Sequence, residues 1–155
     1  MTPIGTIFTP FKKLDDMPIQ PGGGSGVSGL IEINEKFRSG LADLDGFSHI
    51  YLIYRFHQAR RTEMEVVPFL DTQKRGVYAT RSPLRPNHIG LSIVELVKIE
   101  GTTLTIKNLD ILDGTPLLDI KPYIADFDQV STSRSGWMTA DKDIVAGHRS
   151  DKRFV

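Results

Sequence analysis

The sequence predicts a mainly β, single-domain barrel with short helical turns, and three observations carry that prediction. Short apolar runs rich in β-branched and aromatic residues recur along the chain, separated by breaks containing Gly and Pro. Stretches with helical periodicity are few and short. A chain of 155 residues, 39% hydrophobic and 25% charged, suits one continuous core. Many short strands with loop punctuation are best satisfied by a closed or partly closed barrel.

Taken in order, Ile4–Phe8 reads as a first strand, stopped before Pro10. Residues 17–29 are rich in Pro and Gly and read as a loop. Leu30–Ile33 is a strand candidate, after which Asn34 is placed to cap one or two helical turns through Phe37 and Leu41. Phe47–Phe56 (FSHIYLIYRF) carries aromatic and β-branched residues on both alternating faces. That pattern predicts burial on both sides, as in a barrel wall covered by a partner surface. Ile89–Ile99 and Thr102–Leu109 flank Glu100-Gly101, a hairpin signal. Leu117–Tyr123 closes the strand set, with Pro122 marking an edge or a strand end.

Composition removes several functional classes. Absence of cysteine excludes a disulfide framework, a zinc finger or ribbon and a thiol nucleophile, and no metal site is expected. The apolar runs are too short to span a membrane, and the N-terminus shows no basic region leading into an apolar stretch, so a cytoplasmic protein is expected. The 19 Lys+Arg balance 19 Asp+Glu, which weighs against a bulk nucleic-acid coater. The balance is uneven along the chain: residues 1–54 carry −2, residues 55–88 carry +4, residues 89–128 carry −4 and residues 129–155 carry +2. Clustering, not the sum, sets the local field.

Gly24-Ser25-Gly26-Val27-Ser28-Gly29 matches the spacing of a dinucleotide fingerprint. That fingerprint needs a strand before it and a helix N-terminus after it, so that amides meet the pyrophosphate. Here a Pro-Gly loop precedes and a strand follows, so the match is read as a loop.

The chemistry concentrates in residues 76–123. Pro83 and Pro86 stiffen the loop carrying Arg81 and Arg85, which suits an anion clamp, while ion pairing to the acidic block is the structural alternative. Asp110, Asp113 and Asp119 lie among aliphatic residues on both sides of Gly114-Thr115-Pro116. A carboxylate pair among them reads as binding the hydroxyl or ammonium groups of a polar ligand, or as a proton acceptor, with turn capping the alternative for Asp113.

Three long segments, GVYATRSPLRPNHIGLS, LDILDGTPLLDIKPY and FSHIYLIYRFHQ, resemble the TsaA-like (TrmO-type, YaeB-like) family of tRNA N6-methyltransferases, and the likeness covers residues 4–128. The resemblance implies a homodimeric β-barrel of the TsaA-like type over residues 1–128, with residues 129–155 as a tail packing on the barrel or on the partner subunit. It implies S-adenosyl-L-methionine as cofactor and tRNA as substrate, methylated on N6 of threonylcarbamoyl-adenosine at position 37. Carried onto this sequence, the cofactor contacts are Pro18, Ile19, Gln20, His57, Gln58, Arg81, Leu91, Asp110, Ile111, Leu112 and Asp113. Arg81 would meet the carboxylate, Asp110, Asp113 and Gln58 the amine and ribose, and Leu91 and Leu112 the adenine. Arg85, Asn87, Lys121 and Tyr123 are the substrate-binding candidates, and Asp113, Asp110 and His57 are the candidate proton acceptors.

The sequence departs from the family where Arg-Pro-Asn-Pro-Ile-Gly becomes Arg85-Pro86-Asn87-His88-Ile89-Gly90. His88 restores an amide donor and removes a backbone constraint, so a looser or differently bonded loop is expected. Some bacterial members carry a further C-terminal domain; over the sequence given, tRNA is expected to be held by the barrel dimer and the tail. Trp137 is expected to pack on the barrel or across the dimer, and Arg149, Lys152 and Arg153 make the tail's end basic. Two other readings stand beside this one: a barrel that binds the cofactor or a nucleotide without catalysis, and an N-methyltransferase for another acceptor.

Overall fold

The computed structural model describes residues 1–19, 24–139, 144 and 147–151. Its centre is a closed antiparallel barrel built from β1 (Gly5–Phe8), β2 (Ser28–Ile33), β3 (His49–Arg55), β6 (Ile89–Glu100), β7 (Thr103–Lys107) and β8 (Thr115–Pro122), in the order β1-β2-β7-β6-β3-β8. Pairing of β8 with β1 at Ile7↔Thr115 shuts the ring. A two-stranded ribbon of β4 (Glu65–Val66) and β5 (Arg75–Gly76) stands apart from it.

Alternation selects the core. Ile7, Ile31, Ile50, Leu52, Val94, Leu104, Ile106 and Leu117 face inward and are fully buried. The hairpin between β6 and β7 turns through Gly101-Thr102, one residue later than expected, with Gly101 at φ 64. β6 serves two partners by bending: its first half pairs with β3 and its second with β7, with a bulge between Leu96 and Lys98. Pro122 is the last residue of β8, where the missing N–H costs least.

Two local expectations change. β3 is buried on one face only: Ile50, Leu52 and Tyr54 point inward, whereas Tyr51 and Ile53 are half-buried on the outside. A closed barrel has a single interior, so the second face of β3 lies outside it, where Tyr123 of the same chain meets Tyr51 edge-on at 5.7 Å. The turns after β2 form a 3₁₀ segment, Glu35–Leu41, with Asn34 at the cap position but no side-chain cap. The Asn34 amide instead donates to the Pro3 carbonyl. Phe37, Leu41 and Leu44 pack against the core where β2 ends and β3 begins, stoppering that end of the barrel.

Leu109 and Ile111, in the loop before β8, are buried in the same core and plug the other end. That choice of plug matters for function, because the aspartates interleaved with these aliphatic residues are then carried at the barrel mouth. Gly24, in the loop that mimics a nucleotide fingerprint, sits so close to the Leu109 backbone that any Cβ would collide with its carbonyl. Strand β2 follows that loop directly. Of the tail, Trp137 donates its indole N–H to the Ala79 carbonyl at 2.8 Å, Arg149 bridges to Pro18, and the Ser150 amide donates to the Met17 carbonyl. Lys152 and Arg153 lie outside the described residues.

Candidate functional site

One end of the barrel gathers the end of β1, the end of β3, the start of β6 and the start of β8, because these strands run antiparallel to one another. The sequence candidates that meet do so here.

Asp110 sits between Leu109 and Ile111, so burying those neighbours draws its carboxyl into a poorly solvated position. Burial raises that carboxyl from 3.8 to about 6, opposed by a hydrogen bond from Ser92 and by the positive charge of Arg81. Ser92 Oγ donates to Asp110 Oδ1 at 2.7 Å, and the Tyr54 hydroxyl lies 3.0 Å from Ser92 Oγ.

Asp113 is placed differently. Its Oδ1 accepts the Thr9 amide at 2.9 Å and its Oδ2 pairs with Lys12 Nζ at 2.7 Å. These contacts, the Lys12 hydrogen bond foremost, hold its carboxyl below the usual range. Asp113 thus clasps the end of β1 to the loop before β8.

His57 follows β3 and is exposed at the same mouth. Its Nδ1 lies 3.3 Å from Thr115 Oγ1, and that hydroxyl gives its only hydrogen to the Leu112 carbonyl at 2.6 Å. Thr115 can therefore only accept from His57, which places the ring proton on Nδ1 and leaves Nε2 as a proton acceptor. Partial desolvation of the ring and the nearby Arg55 push the imidazole pKa below 6.5, against a smaller opposing effect of Asp113, so the neutral ring prevails at neutral pH.

The two arginines of the stiff loop part company. Arg85 Nη2 donates to the Val77 and Thr80 carbonyls, making it part of the frame that includes Thr80, Ser82 and the buried Val77 and Leu84. Arg81, from the same loop, is exposed and acts electrostatically on Asp110 and Tyr54. His88 adopts φ 49, which a proline cannot, and its amide bonds to the Arg85 carbonyl while its Nδ1 donates to the Pro83 carbonyl. The loop is differently hydrogen-bonded, as the substitution implies.

A cleft of about 770 Å³ opens beside these groups, lined by Lys12, Lys13, Leu14, Asp15, His57, Gln58 and Arg60. Gln58 is exposed within it. Ile111 and Leu112 are buried, and Leu91 is 58% exposed on the outer face of β6, directed away from inward-facing Ser92. Pro18 is buried and bridged to Arg149, Ile19 is half-buried beside it, and Gln20 lies outside the described residues. Asn87 is exposed in its loop. Lys121 and Tyr123 are not brought to this end: they follow Thr115 along β8, so Tyr123 stands about 26 Å away at about 3.3 Å per residue. Tyr123 there meets Tyr51 edge-on at 5.7 Å.

Sequence reasoning missed Lys12, Lys13 and Arg60 as cleft residues, although the adjacent lysines preceding the Pro18 element were a visible signal. It also missed Tyr54, Ser92 and Thr115, which local sequence does not distinguish from ordinary strand residues. Among the described residues no group of three or more His, Asp or Glu is placed to hold a metal ion, and no helix is long and apolar enough to cross a membrane.

Comparison with known proteins decides the family. A family model described as the tRNA-methyltransferase O N-terminal domain matches residues 6–129. The chain belongs to this family. Within it, a probable S-adenosyl-L-methionine-binding protein of Pyrococcus abyssi is 47% identical over 98% of this chain and 83% of its own length. A mouse tRNA (adenine(37)-N6)-methyltransferase is 38% identical over 81% of this chain, which spans 31% of that protein. The crystal structure of TrmO from Pseudomonas aeruginosa matches with a TM-score of 0.77 at 37% identity, covering 90% of this chain and 62% of that one. The chain spans under two thirds of the solved TrmO chain.

Proposed function

We propose that the chain binds S-adenosyl-L-methionine at this end of the barrel and methylates N6 of threonylcarbamoyl-adenosine at tRNA position 37. The observation that carries the reading is the pairing of unlike charges at one mouth: the Asp110 carboxylate, the exposed Arg81 acting on it, and His57 and Gln58 beside an open basic cleft. Relatives named as cofactor-binding proteins and as a tRNA methyltransferase support it.

The residues suit that cofactor chemically. Its α-carboxylate needs a cation, supplied by Arg81, and its ammonium needs an acceptor, supplied by Asp110, which at neutral pH is mostly ionised. Gln58 offers an amide to the ribose hydroxyls. When bound, the cofactor supplies an electrophilic sulfonium methyl. His57 accepts the N6 proton at Nε2, because Thr115 fixes its tautomer and its lowered pKa keeps the ring neutral. Asp113, whose two oxygens are engaged by Thr9 and Lys12, serves by ordering the loop that carries Asp110. Lys13 and Arg60, together with Lys12, give the cleft the charge that an RNA backbone requires. A second copy of the chain covers the outward apolar face of Tyr51, Ile53, Leu91 and Ile93, making the protein a homodimer.

Transfer of a labelled methyl group to threonylcarbamoylated tRNA, with unmodified tRNA as control, tests the reading. Label should enter only the modified tRNA, and Arg81→Ala should weaken cofactor binding by about tenfold or more, the scale of a lost charge-assisted contact. Cofactor binding without transfer to any tRNA would replace this reading with a non-catalytic binding barrel. Transfer to a different acceptor would make it another N-methyltransferase. A monomer by light scattering would remove the dimer.

A further inference from the structure

A polar chain runs through the otherwise apolar wall between β3 and β6 and ends on Asp110. Ser92 is 3% exposed and Tyr54 is 4% exposed, and neither belongs to the exposed cleft. With Asp110 ionised, the directions of their hydrogen bonds follow. Ser92 Oγ has one hydrogen, which goes to Asp110 Oδ1 at 2.7 Å. The Tyr54 hydroxyl, 3.0 Å from Ser92 Oγ, must then be the donor in that second bond. Tyr54 cannot reverse its role by ionising, because burial, and secondarily the charge of Asp110, push its phenol far above its ordinary value.

The anchor of the chain is rigid. Gly90, paired with Tyr54 across the strands, approaches the tyrosine ring so closely that any Cβ would strike it. Phe56 closes the ring edge-on at 5.5 Å. Buried hydroxyls cost free energy unless paired, and Phe and Ala would fill these two inward positions without that cost. The pairing these hydroxyls achieve is with each other and with one carboxylate at the mouth. Ser92 engages Oδ1 of that carboxylate, so the plane of the carboxyl and the direction of Oδ2 follow from a hydroxyl fixed in the core. The charged group acting on Asp110 is Arg81, and its charge adds to the effect of the Ser92 hydrogen bond in favouring the ionised form.

We infer that Ser92, held by Tyr54, is a positioning residue that orients the Asp110 carboxylate toward a cationic ligand at the barrel mouth. The inference rests on the proposed cofactor reading for the identity of that ligand, but its structural half stands without it.

Two measurements test it on the full chain. The first follows the Asp110 carboxyl by carbon NMR in the cofactor-free protein as pH is varied. Ser92→Ala should raise its midpoint by about one pH unit, since a hydrogen bond to the charged form is lost, and Ser92→Thr should restore the wild-type value. Tyr54→Phe should give a smaller rise in the same direction. The second is calorimetric titration with S-adenosyl-L-methionine at about pH 8, where Asp110 is largely ionised in every variant. There Ser92→Ala should weaken binding about tenfold while Ser92→Thr binds like wild type. An unmoved midpoint in Ser92→Ala overturns the inference, as does a moved midpoint with unchanged affinity, because the hydroxyl would then tune charge without directing it. If wild type itself binds no S-adenosyl-L-methionine, the cofactor reading fails separately, and the NMR arm still decides whether Ser92 and Tyr54 hold the carboxylate.

Discussion

Asp110→Asn should change how the protein's stability depends on pH, by an amount that the barrel mouth sets. Burial holds the folded carboxyl at about 6, against 3.8 for the exposed group, even with Ser92 and Arg81 pulling the other way. Between those two values the folded protein binds more protons than the unfolded chain, so stability falls as pH rises through that window. A difference of about two units, at about 1.4 kcal/mol each, bounds the effect at about 3 kcal/mol, of which about 2 kcal/mol is realised between about pH 4.5 and pH 7.5. Asn does not titrate, so this contribution disappears from the variant. Any constant cost of its buried amide cancels when the two pH values are compared. Asp71 and Asp113, whose depressed carboxyls slope stability the opposite way, are common to both proteins and cancel as well. Urea denaturation followed by circular dichroism at the two pH values measures the quantity directly. The stability of Asp110→Asn relative to wild type should be greater by about 2 kcal/mol at the higher pH, or about 4–8 °C in Tm for a domain of this size. The same stability difference at both pH values would refute the placement of Asp110 in a poorly solvated pocket, and with it the argument that Ser92 is needed to hold its charge.

Three further outcomes follow from the same geometry. Asp113→Ala should cost about 1–3 kcal/mol in denaturant melts, because it strands the buried Thr9 amide, whereas Asp113→Asn keeps an acceptor and should lose well under half of that. Equal losses would show that the exposed Lys12 pair, not the amide bond, holds the loop. Gly90→Ala should cost about 1–3 kcal/mol through collision with the Tyr54 ring, and a neutral result would show that the ring is not pinned. His57→Gln should lower kcat by about 10²–10⁴ with cofactor affinity little changed, and the wild-type rate should rise with pH through a value below 6.5 and then level off. A variant that keeps its kcat would move the proton acceptor away from His57.

Much of the barrel was legible because its information is local. Alternation in Leu30–Ile33, the turn at Gly101 and the late proline at Pro122 each describe a segment without reference to the rest of the chain. β3 shows the limit of such local information. Its apolar residues on both faces say that both are covered, but not by what, and the closed barrel covers only one. At the mouth, the sequence singled out Asp110, Asp113, His57 and Arg81 without separating their roles. Those roles depend on Thr9, Lys12, Ser92 and Thr115, which reach them across separations of up to 104 residues. Arg81 and Arg85 sit on the same proline-stiffened loop and are alike in local sequence, yet one is presented and the other is spent on its own loop's carbonyls.

The sequence by itself determined a mainly β fold, a family and a short set of acidic, basic and imidazole side chains. These follow from periodicity, turn chemistry and three long motifs, all read in order along the chain. Only the tertiary structure decided that the aliphatic neighbours of Asp110 plug the barrel, that Asp113 is a clasp, that Lys121 and Tyr123 stand at the opposite end, and that Tyr54 and Ser92 aim one carboxylate. Strand register causes that division. A shift of one residue would turn Ser92 outward and Leu91 inward without altering any local preference, and register is set by closure of the whole ring.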